Sequence, residues 1–520
     1  MAIDDSKLQP NVRRWLIVSA VLLCIPIFSL FLLALRLGPM ARDEIVRFLH
    51  DKYQSEVTLK DLRISLFPSI RVTGDGLVMY YHGRTDLPPF VSIKSFHADA
   101  RIGSLFQSTK HVGTLQIEGL EINIPPKSER LPAATRRPAN GGAKIIDVVV
   151  DRIVADGTTL LILPNQTGKD PLRWEIGKLT LQSVGIARPM EFVAMLKNAK
   201  PPGDIESSGQ FGPYSADDPG ATPVLGRYTF QNADLSVFKG ISGMLSSTGE
   251  YVGTLKKIEV DGETDTPDFV VRVAGNAIHL KTRFHSIVDG TNGNTRLEPV
   301  TAEFLHSAVV ATGGATGTKG VKGKTVALDV VVNQAQLQDI LKLAIKSSKN
   351  PMTGIISFNT KLTIPAGDED IADKLKLNGQ FGISAAKFTS RDVQNKVDKL
   401  SGRARGDTDD SDAENVVSNL RGRFILDNGK VTFTQLSFTV PGARIQLSGW
   451  YGLRSGEIDF HGTARMDAKV SQMTTGFKSF LLRAVDPFFK KQGAGAVIPL
   501  KVSGTRDNPS FGLELRRKKP

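Results

Sequence analysis

The chain is almost without cysteine. Its single thiol, Cys24, lies in an apolar run near the N-terminus, so the rest of the 520 residues can form neither a disulfide nor a Cys-ligated metal site. Histidine is also scarce. The eight residues at 50, 82, 97, 111, 279, 285, 306 and 461 show no HxxxH or HExxH spacing, which argues against a zinc centre. His279 and His285 straddle a strand-like segment and fall on one face, but no neighbouring ligand accompanies them. There is no Gly-x-Ser-x-Gly elbow to carry a nucleophile. Tyr (7) and Trp (3) are few beside 26 Phe, so the aromatic surface is mostly apolar, without polar tips.

Two partial motifs fail on spacing. Lys319–Thr325 (KGVKGKT) resembles a phosphate-binding loop, but the first required Gly is Thr318, and a strand-like ALDVVV follows where a helix N-terminus is needed. It reads as a basic hairpin loop. Asp407-x-Asp409-x-Ser411 opens like a calcium loop, but Asp412 and Ser418 stand where Gly and Glu are required. It reads as a solvated acidic loop. We therefore expect no catalytic, cofactor-binding or metal-binding residues, and no enzyme.

The composition is that of a folded protein large enough for two or more domains: 40% hydrophobic, 23% charged, 49 Gly. The net charge of +13 implies attraction to a polyanion. No zinc finger, RNP-like aromatic motif or basic heptad helix is present, so an anionic membrane surface is the better partner and nucleic acid is not expected.

After a short tail, residues 1–14, Trp15–Leu35 (WLIVSAVLLCIPIFSLFLLAL) is an uncharged run bounded by Arg13-Arg14 and Arg36. At about 1.5 Å per helical residue it spans roughly 31 Å, the thickness of a hydrocarbon core. It exceeds a signal-peptide h-region and lacks a small-residue cleavage site, so residues 15–37 are expected to be an uncleaved single-pass anchor. The flanking charges are near a tie and do not orient it. A helix is expected over Pro39–Tyr53, with Ile45, Phe48, Leu49 and Tyr53 at helical spacing.

Beyond it, period-2 alternation dominates, with Gly-, Asn- and Asp-rich turns such as Asp427-Asn428-Gly429. Ile356, Phe358, Leu362 and Ile364 share a face. Val431 and Phe433 alternate, then the phase slips near Gln435 to Leu436, Phe438 and Val440, which predicts a bulge. Leu115 and Ile117 give way in the same manner to Leu120, Ile122 and Ile124 after Gly119. The expected fold is mainly β, an elongated, curled antiparallel sheet, with helices at Gln334–Ser347, about Arg188–Lys197, and Gln472–Lys491. The pattern Leu-x-Gly-x-aromatic recurs at Leu377–Phe381, Leu420–Phe424 and Leu447–Tyr451. It either places like side chains in a row or is chance recurrence in a Gly-rich β protein. Pro125–Ala143 and Arg403–Asn415 read as loops. Lys200-Pro201-Pro202-Gly203 is the best boundary between an N-terminal β region, 38–200, and a C-terminal one, 201–520.

Gly476–Lys491 (GFKSFLLRAVDPFFKK) gathers Phe477, Phe480, Leu481, Phe488 and Phe489 among Lys and Arg. Such a segment either caps the open end of the sheet or contacts a membrane or partner.

Three blocks resemble the AsmA-like family of inner-membrane-anchored periplasmic proteins, which includes the TamB type. They are Gly209–Val271, Thr474–Leu515, and the post-anchor segment with Val57–Leu62 and Leu66-Phe67-Pro68-Ser69. The resemblance covers most of the chain after residue 14 and brings no catalytic motif. It implies an inner-membrane anchor, a periplasmic body and a β-groove with an apolar inner face. It further implies handling of phospholipid or another lipid in outer-membrane biogenesis, with a possible envelope protein partner. The alternatives are a scaffold that regulates outer-membrane protein assembly without carrying lipid and, more remotely, an envelope enzyme. At 8–12 residues per strand and turn, the body would hold roughly 40–60 strands if it were all sheet.

Overall fold

The computed structural model describes residues 38–513 apart from 101–109, 125–147, 164–171, 406–415, 468–496 and gaps of one to four residues. The expected anchor at 15–37 and the expected helix Gln472–Lys491 lie outside the described residues. Among these, no helix is long and apolar enough to cross a membrane. The fold is mainly β. The chain divides into two compact units, one reaching Phe230 and taking in Val252–Leu255, the other holding Gln231–Tyr251 and the chain from Lys256.

The first unit opens with α1, over residues 38–47 and 49–51, close to the helix expected at Pro39–Tyr53. Its strands are β1 (Val57–Ser65), β2 (Ile70–Met79), β3 (Val91–Ala100), β4 (Lys110–Ile124), β5 (Val148–Ile162), β6 (Leu172–Val184), β7 (Met190–Ala199) and β8 (Pro202–Phe211); β9 (Pro223–Asp234) begins in it. From β1 to β8, each strand pairs with its successor, seven ladders in all. One of these pairings departs from the antiparallel expectation: β4 and β5 run parallel. Alternation of side chains cannot reveal this, because it is the same in either direction. The expected helix at Arg188–Lys197 is strand β7. Its MEFVAMLKNA turns Phe192, Ala194 and Leu196 to one face, and both ladders with β6 and β8 use its backbone. The Lys200-Pro201 turn joins β7 to β8 as a hairpin, Ala199 opposite Pro202.

A crease crosses this unit. The buried phase steps by three between Leu59 and Leu62 in β1, and between Ile117 and Leu120 in β4. Gly76, Gly119 and Gly157 hold the crease with φ of 65°, 60° and 66°, a region open to Gly and costly for other residues. The phase slip read at Gly119 is this kink.

The second unit holds β10 (Ile241–Ser242), β11 (Met244–Thr254, all but its last three residues), β12 (Lys257–Val271), β13 (Ala277–Val288), β14 (Thr295–Phe304), β15 (Ser307–Gly317) and β16 (Lys324–Gln336). After α2 (Leu337–Ala344) come β17 (Met352–Ile364), α3 (Ile371–Lys374), β18 (Lys376–Phe388) and α4 (Arg391–Arg405). Then follow β19 (Ser418–Asp427), β20 (Lys430–Val440), β21 (Ala443–Gly452), β22 (Glu457–Met466), β23 (Val497–Thr505) and β24 (Pro509–Leu513). From β12 onward each strand pairs antiparallel with the next. The described strands number 24, and the longest run to 15 residues, beyond the 8–12 residues per strand and turn expected from sequence.

The helix expected at Gln334–Ser347 is α2, shorter because 334–336 complete β16. Buried Asp339 accepts from the His306 N–H at 3.0 Å and from Ser307 Oγ at 2.9 Å, which fixes α2 to the β14–β15 turn. The helix α4 was not expected. Its apolar stripe is thin, Val393, Val397, Leu400 and Ala404 among charged residues, yet Val397 and Ala404 pack with Val440, Ala443, Met466 and Ile498 in one buried cluster. Gln394 donates to Asp398 Oδ1 at 2.8 Å and to the Val416 carbonyl at 3.0 Å, which ties α4 to the entry of β19.

Candidate functional site

Residues paired across an antiparallel ladder share a face, so the registers show what each face of the second unit carries. One row crosses seven strands as Phe358, Phe381, Gly422, Leu436, Leu447, Gly462 and Leu500. The adjacent row is Gly379, Phe424, Phe433, Gly449, Phe460 and Val502. A third is Leu362, Leu377, Leu426, Val431, Tyr451 and Ile458. None of these positions is charged. The intervening positions give the opposite face: Asn359, Gln380, Arg423 and Gln435 in one row, Lys376 and Asp427 in another.

The first unit is built alike. Leu62, Gly74, Phe96, Ile117, Ala155 and Leu179 form a row on one face. Asp61, Asp75, Ser95, Glu118 and Asp156 form a row on the other. There Arg63 bridges Asp61 and Asp75 at 2.8 Å each.

Among the described residues, helices cover only part of the apolar face. Around α2, Val332, Ala335, Leu337, Ile356, Ile383 and Ala386 form a buried cluster; around α4 lies the cluster described above. Phe424, Phe433, Leu436, Leu447 and Phe460 belong to neither cluster and are half-buried. The exposed large apolar side chains Val193, Met195, Val310, Val331 and Ile425 lie instead on the polar faces. The half-buried strip is aromatic. Phe381 has its ring centroid 6.1 Å from both Phe424 and Phe433, and Phe433 lies 5.7 Å from Phe460.

The Leu-x-Gly-x-aromatic recurrence has a structural use, though not the expected one. Antiparallel order reverses the motif between β18 and β19, so Gly379 faces Phe424 and Phe381 faces Gly422. Aromatic stands against glycine, not like against like. The bulge expected near Gln435 is present at Thr434, where the ladders of β20 with both neighbours shift register.

The remaining sequence-derived residues fall as follows. Phe477, Phe480, Leu481, Phe488 and Phe489 lie outside the described residues. His279 meets Asp265 at 2.7 Å and His285 meets Asp261 at 2.8 Å. Among the described residues no group of three or more His, Cys, Asp or Glu is arranged to hold a metal ion. The KGVKGKT segment joins β15 to β16, as a hairpin connection. There burial holds the Lys324 ammonium below its usual range, opposed by the nearby Asp289 carboxylate.

Comparison with family models, curated proteins and solved structures finds no match. What the uncharged face offers is apolar area without ionic or metal chemistry. Its chemistry is the burial of hydrocarbon, at about 25 cal/mol per Å² of apolar surface removed from water.

Proposed function

We propose that the chain handles lipid: the uncharged face takes acyl chains while head groups stay in water at its rim. The observation that carries this reading is the unbroken run of apolar rows from Phe358 to Leu500. With strands about 4.8 Å apart, β17 to β23 provide roughly 29 Å of such surface. A buried methylene contributes about 0.8 kcal/mol, so a long acyl chain gains ample free energy from a strip of that length. Half-buried Phe and Leu side chains suit a cargo that must leave again. A closed core would hold it permanently.

The expected anchor at 15–37 and the resemblance to AsmA-like proteins extend the proposal. The anchor sits in a bacterial inner membrane, the body lies in the periplasm, and the lipid is a phospholipid moving between envelope membranes in support of outer-membrane biogenesis. No catalytic role is part of this reading.

The full chain, purified in a mild non-ionic detergent, should retain phospholipid identifiable by mass spectrometry. It should also accelerate transfer of a fluorescent phospholipid between vesicles, and Phe433→Arg with Phe460→Arg should abolish both. A protein that carries no lipid and transfers none would refute the reading and favour a scaffold for envelope protein assembly.

A further inference from the structure

The opposite face of the same strands holds a second feature. Across β16–β22 lies a depression of about 810 Å³, lined by polar-face residues together with members of the first apolar row such as Phe358, Phe381, Leu436 and Leu447. Asn359, Gln380, Arg423 and Gln435 are successive cross-strand partners, and Arg421 lies one row away, opposite Ser437. The lining includes no Asp or Glu. Register shifts lie along it, at Asn333-Gln334 in β16 and at Thr434 in β20. Bulges raise local twist and re-aim side chains. The β16 bulge is held by the Gln334 N–H, which donates to Ser357 Oγ at 3.0 Å.

Arg421 and Arg423 are two positions apart on one strand face, so their stems are about 7 Å apart. Neither takes part in an ion pair or hydrogen bond among the described residues. Some cations elsewhere on the polar faces have carboxylate partners: Lys361 with Asp329, Lys376 with Asp427, Arg296 with Glu298. At the margin, His461 meets Asp459, which is not part of the lining, at 3.1 Å. Arg421 and Arg423 place two positive charges side by side on a carboxylate-free, amide-bearing surface. An anion placed between them meets both charges at once.

The geometry points to a binding site for a phosphate monoester on a hydroxyl-bearing organic group. Two guanidinium forks offer two positive charges and at least four N–H donors. A phosphate monoester brings about −1.5 to −2 charge and three acceptor oxygens, whereas a carboxylate supplies one charge and two oxygens. The side-chain amides of Asn359, Gln380, Gln435 and Gln446 can both donate to and accept from hydroxyls. Such chemistry occurs in a soluble sugar phosphate and in a lipid head group. Arg421, Arg423 and the amides alternate with the apolar row along their strands, so their side chains stand on the face opposite the acyl-binding strip, and the proposal does not depend on that reading.

The test is calorimetric titration of the full chain in a phosphate-free non-ionic detergent with glucose 6-phosphate, glucose, inorganic phosphate and hexanoyl lysophosphatidic acid, which keeps a free glycerol hydroxyl beside its phosphate monoester. Either organic phosphate should bind at least tenfold more tightly than glucose or inorganic phosphate. Preference between the two identifies the source as soluble sugar or lipid head group. Arg421→Gln with Arg423→Gln should weaken binding at least tenfold at an unchanged thermal midpoint, since both side chains are exposed. Equal binding of glucose and glucose 6-phosphate overturns the proposal. So does full affinity in the double Gln variant, or absence of binding by both organic phosphates.

Discussion

Phe381 stands directly opposite Gly422 across the β18–β19 ladder, and a Cβ on Gly422 would come within 2.7 Å of the Phe381 ring. The glycine is therefore a floor for the aromatic strip. Gly422→Ala should cost about 1–3 kcal/mol through overpacking. Phe381→Leu in the same chain should recover part of that loss, because the two residues touch and their effects are not additive. Thermal midpoints of the two single variants and the double variant check this.

Asp339 is the second position with a large expected effect. Its buried carboxylate receives the His306 N–H and the Ser307 hydroxyl. Asp339→Ala leaves buried donors unsatisfied and should cost about 1.5–3 kcal/mol, the range for hydrogen bonds to charged groups. Limited proteolysis should then cut within or beside α2 before any other described segment.

The Arg454–Asp373 pair gives the opposite expectation. Arg454 reaches Asp373 in a two-pronged contact at 2.8 and 2.7 Å, joining the β21–β22 turn to α3. Both side chains are more than half exposed, at 62% and 51%, and solvent screens such pairs. Arg454→Ala should lower stability by less than about 1 kcal/mol, with the difference shrinking further in high salt.

Much of the fold is legible in the chain because one-sided strands write their faces into alternate residues. Val431, Phe433, Leu436, Phe438 and Val440 disclose both the face and the bulge, since a register shift must change the parity of the apolar positions. Pairing direction leaves no such mark, so the parallel β4–β5 ladder went unread. Local ambiguity misled at β7, where Phe192 and Leu196 fit a helical spacing as well as a strand face. The helix α4 was missed because four apolar residues on a charged helix give a weak stripe. Its burial comes from Val440, Ala443 and Ile498, which are distant in sequence.

The candidate site divides in the same manner. The aromatic strip could be anticipated from its repeats, though the pairing of Phe with Gly depends on antiparallel reversal and needs the register. Arg421 and Arg423 are visible within the repeat LRGRF, but alternation says only that they face solvent. That four strands bring amides around them, with no carboxylate in the lining, is a property of the assembled sheet.

Photo-crosslinking in intact cells tests the central claim most directly. The chain would carry a benzophenone amino acid at Phe433, on the apolar strip, or at the neighbouring Thr432, exposed on the other face. After irradiation, mass spectrometry of the purified protein should find a phospholipid adduct at position 433 and none at 432. Equal lipid adducts at both positions, or a protein adduct with no lipid at 433, would contradict the account.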